Sequence, residues 1–379
     1  GHGSELQWAL GLTFLGSVLI SFVAACKDTI RGFERADIPA YVHVGQQVLW
    51  ACLVLPALLL GGRMRMVLIA ADVATVIALL WILRTLRSVG VGRLSIDRSA
   101  LRSLFRGGTP FVFLGLAMAL QPMIDAAWLA ELGSVEAVGW YAVARKLIGL
   151  LLFPASALIG ALYPTLCRLW VEDRDDFLRV TRGSLHSVAL IVVPIALGCF
   201  LFPDIGVAIF SKKAYGPAAD DLRILSLFLF LVYFTMPIGT AVLAAGKQRA
   251  WSIVQSLCVG VSVVLDPLLT PWFQQHYENG GLGPSVASVV SEVIVVGCGL
   301  YFMPAGVFDT RLRRTLFFTA CSGLAMGVVA WLLSSITPFV TAPVAVLAYA
   351  GVLWATGEID RSHVARVTGV VTRKLSRAR

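Results

Sequence analysis

Five ionisable side chains, Asp125, Arg145, Lys146, Asp266 and Glu292, stand inside the long apolar runs that follow residue 102. A charge in hydrocarbon costs several kcal/mol, so each marks either a pair or a pathway. At 1.5 Å per helical residue, Asp125 lies roughly 8 Å from the end of the run 109–130, and Arg145 roughly 11 Å from the start of the run 138–166. The two therefore share a depth on adjacent antiparallel helices. Gln121 and Asp125, four apart, lie on one face, as do Tyr141 and Arg145. Two kinds of chemistry are open to this set. Asp125 and Arg145 can form an ion pair that locks two helices, or Arg145, with Lys146 beside it, can bind a phosphate-bearing group, because guanidinium matches phosphate geometry bidentately.

Glu292 lies roughly 15 Å from the start of its run, near mid-bilayer, with Ser285 and Ser288 on its face. A carboxyl there suits ion coupling by proton exchange, or a hydrogen bond between helices. Asp266 precedes Pro267, whose ring and missing N–H loosen a helix. It is a second ion-coupling candidate, or else a partner for the backbone groups that Pro267 frees. His43, Gln46, Gln47 and Trp50 form a polar stripe at helical spacing, able to touch a sugar or to hydrogen-bond between helices. The seven cysteines show no CxxC and no Cys/His cluster, so neither a metal site nor a disulfide framework is expected. No phosphate-binding glycine loop is present, and neither a catalytic residue nor a cofactor is expected.

The elements that must hold these residues are membrane helices. Of 379 residues, 58% are hydrophobic and only 14% charged, against about a quarter charged in soluble domains. A spanning helix needs about 20 mostly apolar residues. Runs at 6–25, 38–60, 65–83, 109–130, 138–166, 183–203, 221–245, 250–272, 282–303, 315–334 and 337–356 predict an all-α integral membrane protein with about 11 transmembrane helices. Of the 31 Lys and Arg, 24 fall in alternate loops and the tail, five in the intervening loops and two inside a span. The basic side is the cytoplasm, which puts the C-terminus inside, accounts for the net charge of +9 and removes any need for a nucleic-acid partner. The N-terminus then falls outside, and three further spans are expected ahead of it.

GFERA at 32–36 and GKQRA at 246–250 occupy the same kind of junction between spans, offset by 214 residues. The flanking spans fall into register with the same orientation, a parallel repeat that builds two lobes. Residues 6–83 are expected to match roughly 220–303, with Gly32 on Gly246 and glycine permitting a tight exit at both.

From about residue 102, the strings LRSLFRGGTPF, IDAAWLAELGSVEAVGWYAVARKLIGLLLFPASALIGALYPTLCRLW, AYGPAADDLRIL, AAGKQRA and GGLGPSVASVVSE resemble, in order and spacing, the polysaccharide flippase branch of the multidrug/oligosaccharidyl-lipid/polysaccharide exporter superfamily. The resemblance implies a two-lobed flippase-like bundle with an incomplete N-lobe. Residues 1–101 would be three spans equivalent to spans 4–6, 102–304 a six-span C-lobe, and 305–379 two extra helices and a basic cytoplasmic tail. Where the family often has Asn in its eleventh span, this chain has Asp266.

The resemblance further implies translocation of a lipid-linked, polyprenyl diphosphate oligosaccharide across the cytoplasmic membrane by alternating access, with no enzymatic step. Substrate would meet Arg145, Lys146, Asp125, Tyr141 and Gln121, while Glu292 and Asp266 are candidates for a coupling H+ or Na+; membrane lipids are the other partners. Multidrug efflux within the same superfamily is the alternative, expected to use an acidic, apolar cavity without an essential cation. A membrane glycosyltransferase or polysaccharide polymerase would need a large external loop, whereas FPDIGVAIFSKKAYGPAADD is only about twenty residues. Its Asp220 and Asp221 read as the polar start of a helix, where acids suit the dipole.

Overall fold

A computed structural model of the protein describes residues 2–33, 35, 37–59, 64–88, 97–210 and 215–358. Arg63, Arg93, Lys212, Lys213 and the tail cations Arg361, Arg366, Arg373, Lys374, Arg377 and Arg379 lie outside the described residues. So do Glu34 and Ala36 of the first junction.

Among the described residues the chain forms helices and no strand, as membrane solvent requires when every backbone group must be satisfied within its own segment. In order these are α1 (His2–Gly32), α2 (Asp37–Leu59), α3 (Met64–Ser88), α4 (Arg98–Leu132), α5 (Val135–Glu172), α6 (Arg174–Leu201), α7 (Pro203–Phe210), α8 (Ala218–Ala244), α9 (Gln248–Tyr277), α10 (Leu282–Phe302), α11 (Thr310–Leu332) and α12 (Pro338–Ala355). All but the eight-residue α7 are long and apolar enough to cross a bilayer, which gives the eleven spans expected from sequence.

The starts of α5, α6 and α11 are capped by side chains. Ser134 Oγ accepts from Ala137 N, Asp173 from Asp175 N and Asp176 N, and Asp309 from Leu312 N. Such caps contribute about 1 kcal/mol each. Ahead of α4, Asp97 accepts from the Ser99 hydroxyl and amide, which holds its carboxyl below the usual range.

The two longest helices outrun the bilayer by the widest margin. α4 has 35 residues and α5 has 38, about 52 and 57 Å at 1.5 Å each, against a hydrocarbon core of about 30 Å. Arg98, Arg102 and Arg106, expected in a loop, sit instead at four-residue spacing on the first turns of α4.

The chain divides into two compact units, Gly1–Arg102 and Ser103–Arg379. In the first, Ile30, Val42, Ala78 and Ile82 form a small core at one end of the three helices. Of the polar stripe on α2, only Gln46 makes described bonds between helices, accepting from Lys27 Nζ at 3.3 Å and donating to Thr75 Oγ1 at 3.4 Å. His43, Gln47 and Trp50 are exposed.

In the second unit, α5, α6 and α8 carry the main core, joined by side chains of α11 and α12. Alternate loops gather at opposite ends. Arg182 on α6 reaches the Gly306 carbonyl at 3.1 Å, Lys247 reaches that of Phe302 at 2.8 Å, and Arg314 pairs with Glu358 at 3.2 Å. At the other end Gln274 accepts from Ser134 N at 3.1 Å, and Asn279 donates to the Pro217 carbonyl at 3.4 Å.

The two repeated glycines differ locally. Gly246 has φ +77 and closes α8, its amide donating to the Leu243 carbonyl at 3.0 Å. Gly32 is the last residue of α1, is not among the positive-φ glycines, and has no atom within 4 Å of where a Cβ would lie. The tight, glycine-requiring exit expected at both junctions exists only at the second.

Candidate functional site

Four helices, α4, α5, α9 and α10, bring together Asp125, Tyr141, Arg145, Asp266 and Ser288 of the polar residues singled out in the sequence. Asp125 on α4 is wholly buried, and its Oδ2 accepts from the Tyr141 hydroxyl at 3.1 Å and from Arg145 Nη2 at 3.4 Å, both on α5. The depth arithmetic across the α4–α5 hairpin therefore described a real pair. Asp266 on α9, also wholly buried, approaches the Asp125 carboxyl and the Arg145 guanidinium. Ser262, one turn before Asp266 on the same helix face, approaches Asp125, and Ser288 on α10 approaches Tyr141.

These last approaches fall short of hydrogen-bond geometry. Asp125 Oδ1, both oxygens of Asp266 and the hydroxyls of Ser262, Thr270 and Ser288 are buried with no described hydrogen-bond partner. An unsatisfied buried polar group costs about 1–3 kcal/mol, so this concentration of oxygens is not incidental packing. Two carboxyls with hydroxyls around them make an oxygen-only donor set, the kind that suits a proton or a hard cation such as Na+.

Arg145 lies beside two aromatic rings. Its guanidinium lies 5.7 Å from the Tyr141 ring centroid and 5.3 Å from that of Phe228 on α8, distances at which a cation is attracted to the ring face. Its side chain keeps 21% exposure. Guanidinium carries five N–H donors, and only one makes a hydrogen bond among the described residues, a long one. Lys146 is exposed on the neighbouring face of α5 and does not join the cluster. Gln121 is half-buried one turn from Asp125, without a described hydrogen bond.

Glu292 lies apart, one turn beyond Ser288 on α10. It faces Thr235 of α8 and Cys258 of α9, and its Oε1 is buried with no hydrogen-bond partner among the described residues, as are the Thr235 and Ser291 hydroxyls. Oxygen atoms thus line α10 for two turns between Ser285 and Glu292. The close crossing of α9 and α10 depends on Gly283, because a Cβ there would lie 2.6 Å from Thr270 N and 2.8 Å from its Cα.

Two further acids hold buried oxygens outside this set, Asp221 and Asp72. Asp220 is exposed and pairs with Arg223 at 3.0 Å, as a helix start would, but Asp221 is wholly buried. It accepts from Asn279 at 3.1 Å and from Ser285 at 3.4 Å, clasping α8 to the α9–α10 turn. In the first unit Asp72 on α3 packs so tightly against Gly16 of α1 that a side chain at 16 would collide with its carboxylate, and its Oδ2 is buried with no hydrogen-bond partner among the described residues. The rule that flagged Asp125, an acid inside an apolar run, would have flagged Asp72.

Comparison with known proteins agrees with this architecture. The polysaccharide biosynthesis protein family matches residues 6–170, so family signal begins well before the strings that start near 102. No curated protein matches. Among solved structures, the lipid II flippase MurJ in an inward closed conformation is similar at 12% identity, with 92% of this chain and 74% of that one covered and a TM-score of 0.66. A MATE structure in the bent conformation is 17% identical over 84% of this chain and 72% of that one, at TM-score 0.66. An outward-facing multidrug resistance MATE family transporter of the MOP superfamily is 18% identical over 83% and 71%, at 0.65. The chain is a multi-pass membrane protein with the fold these structures share.

Proposed function

We propose that this chain, with the fold of MurJ and the MATE transporters and a match to the polysaccharide biosynthesis family, is a flippase for a polyprenyl diphosphate-linked oligosaccharide. It works in the cytoplasmic membrane, with its C-terminus inside, by alternating access. The observation that carries this is Arg145: a guanidinium beside two aromatic rings and a buried carboxylate, partly exposed, with most of its donors uncommitted among the described residues. A diphosphate offers it bidentate acceptors, and Lys146 on the adjacent face adds charge. Translocation needs no catalytic residue.

Asp266, beside Asp125, is the coupling group. Its oxygens, with those of Ser262 and Thr270, are the residues that would hold a proton or Na+. Charge there bears directly on the Arg145 to Asp125 contact, so ion binding and substrate binding act on one cluster. Glu292 is a second coupling candidate on the same line of α10.

Multidrug efflux is the second reading, since the MATE structures are as similar as MurJ. The family match and a cation at the centre of the cluster favour the glycan lipid over a cationic drug. The test is flipping of a fluorescent polyprenyl diphosphate oligosaccharide in proteoliposomes, read by an impermeant quencher, beside dye efflux. Arg145→Ala/Lys146→Ala should lower flipping at least about tenfold, one charge-assisted contact. Parental rates in that variant, or dye efflux without flipping, would overturn the proposal.

A further inference from the structure

At the end of the second unit opposite the basic loops, the structure opens a cleft of about 840 Å³ between α5, α7, α8, α9 and the start of α10. We infer that it is a saccharide-binding site, selective for neutral or amino sugars over acidic ones. The inference rests on the flippase proposal for its biological sense, as the place where a translocated glycan is received.

Three aromatic side chains line the cleft: Trp140 at the start of α5, and Phe273 and Tyr277 on the last turns of α9. The Phe273 and Tyr277 rings lie 5.7 Å apart, and Tyr277 is 61% exposed. Rings of this kind, rigid and amphipathic, give contact area at low entropy cost, and the C–H faces of pyranose rings stack on them. Between the aromatics stand acceptors: Asp204, Asp220 and Glu278. Carboxylates accept strong hydrogen bonds from hydroxyls and ammonium groups. The single guanidinium, Arg223, is already committed to Asp220 at 3.0 Å and to the Phe200 carbonyl at 3.3 Å. Among the described residues, three carboxylates stand against one engaged cation, a balance that repels uronic or sialic acids and accepts neutral or amino sugars.

Glu278 marks the cleft as selected for contact. It is the sole non-glycine residue at positive φ among the described residues, at φ 57 and ψ 13, where a side chain is strained and glycine is favoured. It also closes α9, where the helix dipole disfavours negative charge. Two local rules are broken at one exposed carboxylate on the rim of a cleft, the pattern expected where function outweighs local stability. Its neighbour Asn279 is pinned by bonds to Asp221 and to the Pro217 carbonyl, so the turn holds Glu278 in place.

The test is binding of lipid-free chitotriose, maltotriose and trigalacturonate to the full chain in nanodiscs, by saturation-transfer NMR titration. Chitotriose or maltotriose should saturate below about 10 mM, as befits a receiving site that must also release, and trigalacturonate should bind at least tenfold more weakly. Tyr277→Ala and Glu278→Gly should each weaken binding about tenfold. Glu278→Gly should also raise the Tm, so lost affinity cannot be ascribed to lost folding. No saturable binding of either neutral trisaccharide, equal binding of trigalacturonate, or unchanged affinity in both variants would overturn the inference. A protein that binds sugars but flips nothing would overturn the flippase proposal and leave this one standing; one that flips but does not bind would do the reverse.

Discussion

Neutralising Arg145 alone, and neutralising it together with Asp125, separates the two roles that the geometry holds in one place. In Arg145→Gln, Asp125 stays wholly buried beside Asp266, with the Tyr141 hydroxyl at 3.1 Å as its remaining hydrogen bond. Removing one partner of a buried pair costs about 3–5 kcal/mol. The carboxyl has an escape by taking up a proton, which for an ordinary Asp at pH 7 costs ~1.36 kcal/mol per pH unit over about three units, or ~4 kcal/mol. The expected loss of stability is therefore about 3–4 kcal/mol. In Asp125→Asn/Arg145→Gln no charge of the pair is left stranded, and stability should return to within about 1.5 kcal/mol of the parent, because replacing both members of a buried pair is often close to neutral. Flipping should not return. A charge-assisted contact to the diphosphate contributes about 1.5–3 kcal/mol, so its loss slows flipping roughly 10- to 100-fold. Denaturant unfolding in micelles gives the stabilities, and initial flipping rates in proteoliposomes at matched protein load give the function. If the double variant flips at the parental rate, Arg145 is a helix lock and the substrate role assigned to it is wrong. If the single variant is as stable as the parent, the buried-charge arithmetic is wrong.

Asp266→Asn should uncouple flipping from an imposed proton or Na+ gradient while leaving gradient-free exchange measurable; a variant that still responds to the gradient removes Asp266 from the coupling role. Gly283→Ala should destabilise the second unit by about 1–3 kcal/mol or more, because the added methyl meets the α9 backbone rather than a movable side chain, read as a fall in Tm. Gly246→Ala should cost about 1–2 kcal/mol for a non-glycine at φ +77. Gly32→Ala, on an open helical site, should be neutral or gain up to about 1 kcal/mol, and equal effects at the two glycines would refute the difference between the junctions.

The eleven spans were legible because hydrocarbon admits only long apolar helices here, and composition alone reports them. The Asp125 to Arg145 pair was legible for a related reason. Two helices joined by a two-residue turn have their depths tied together, so counting residues from the turn ranks which side chains can meet. Lys146 shows the limit of that count: the same depth one residue on, but rotated to another face. Asp221 does open α8, but its burial is not legible in the sequence, because a helix start looks polar whether or not another turn closes over it, and Asn279 and Ser285 close over it from about sixty residues away. Asp72 was overlooked although its signal matched that of Asp125.

By itself the sequence determined the solvent of this protein, the number of its spans, their alternation between two ends and the depth of the charged side chains within them. All of these follow from residue type and one-dimensional spacing along rigid rods. Tertiary structure alone decided which rods touch. It set Asp266 against Asp125 and made Gly283 the contact point of α9 and α10. It gave Gly246 but not Gly32 a left-handed turn, and it held Glu278 against its own backbone preference at the rim of a cleft. Lateral packing between helices distant in sequence depends on the shapes of many side chains at once, and no spacing along one chain encodes it.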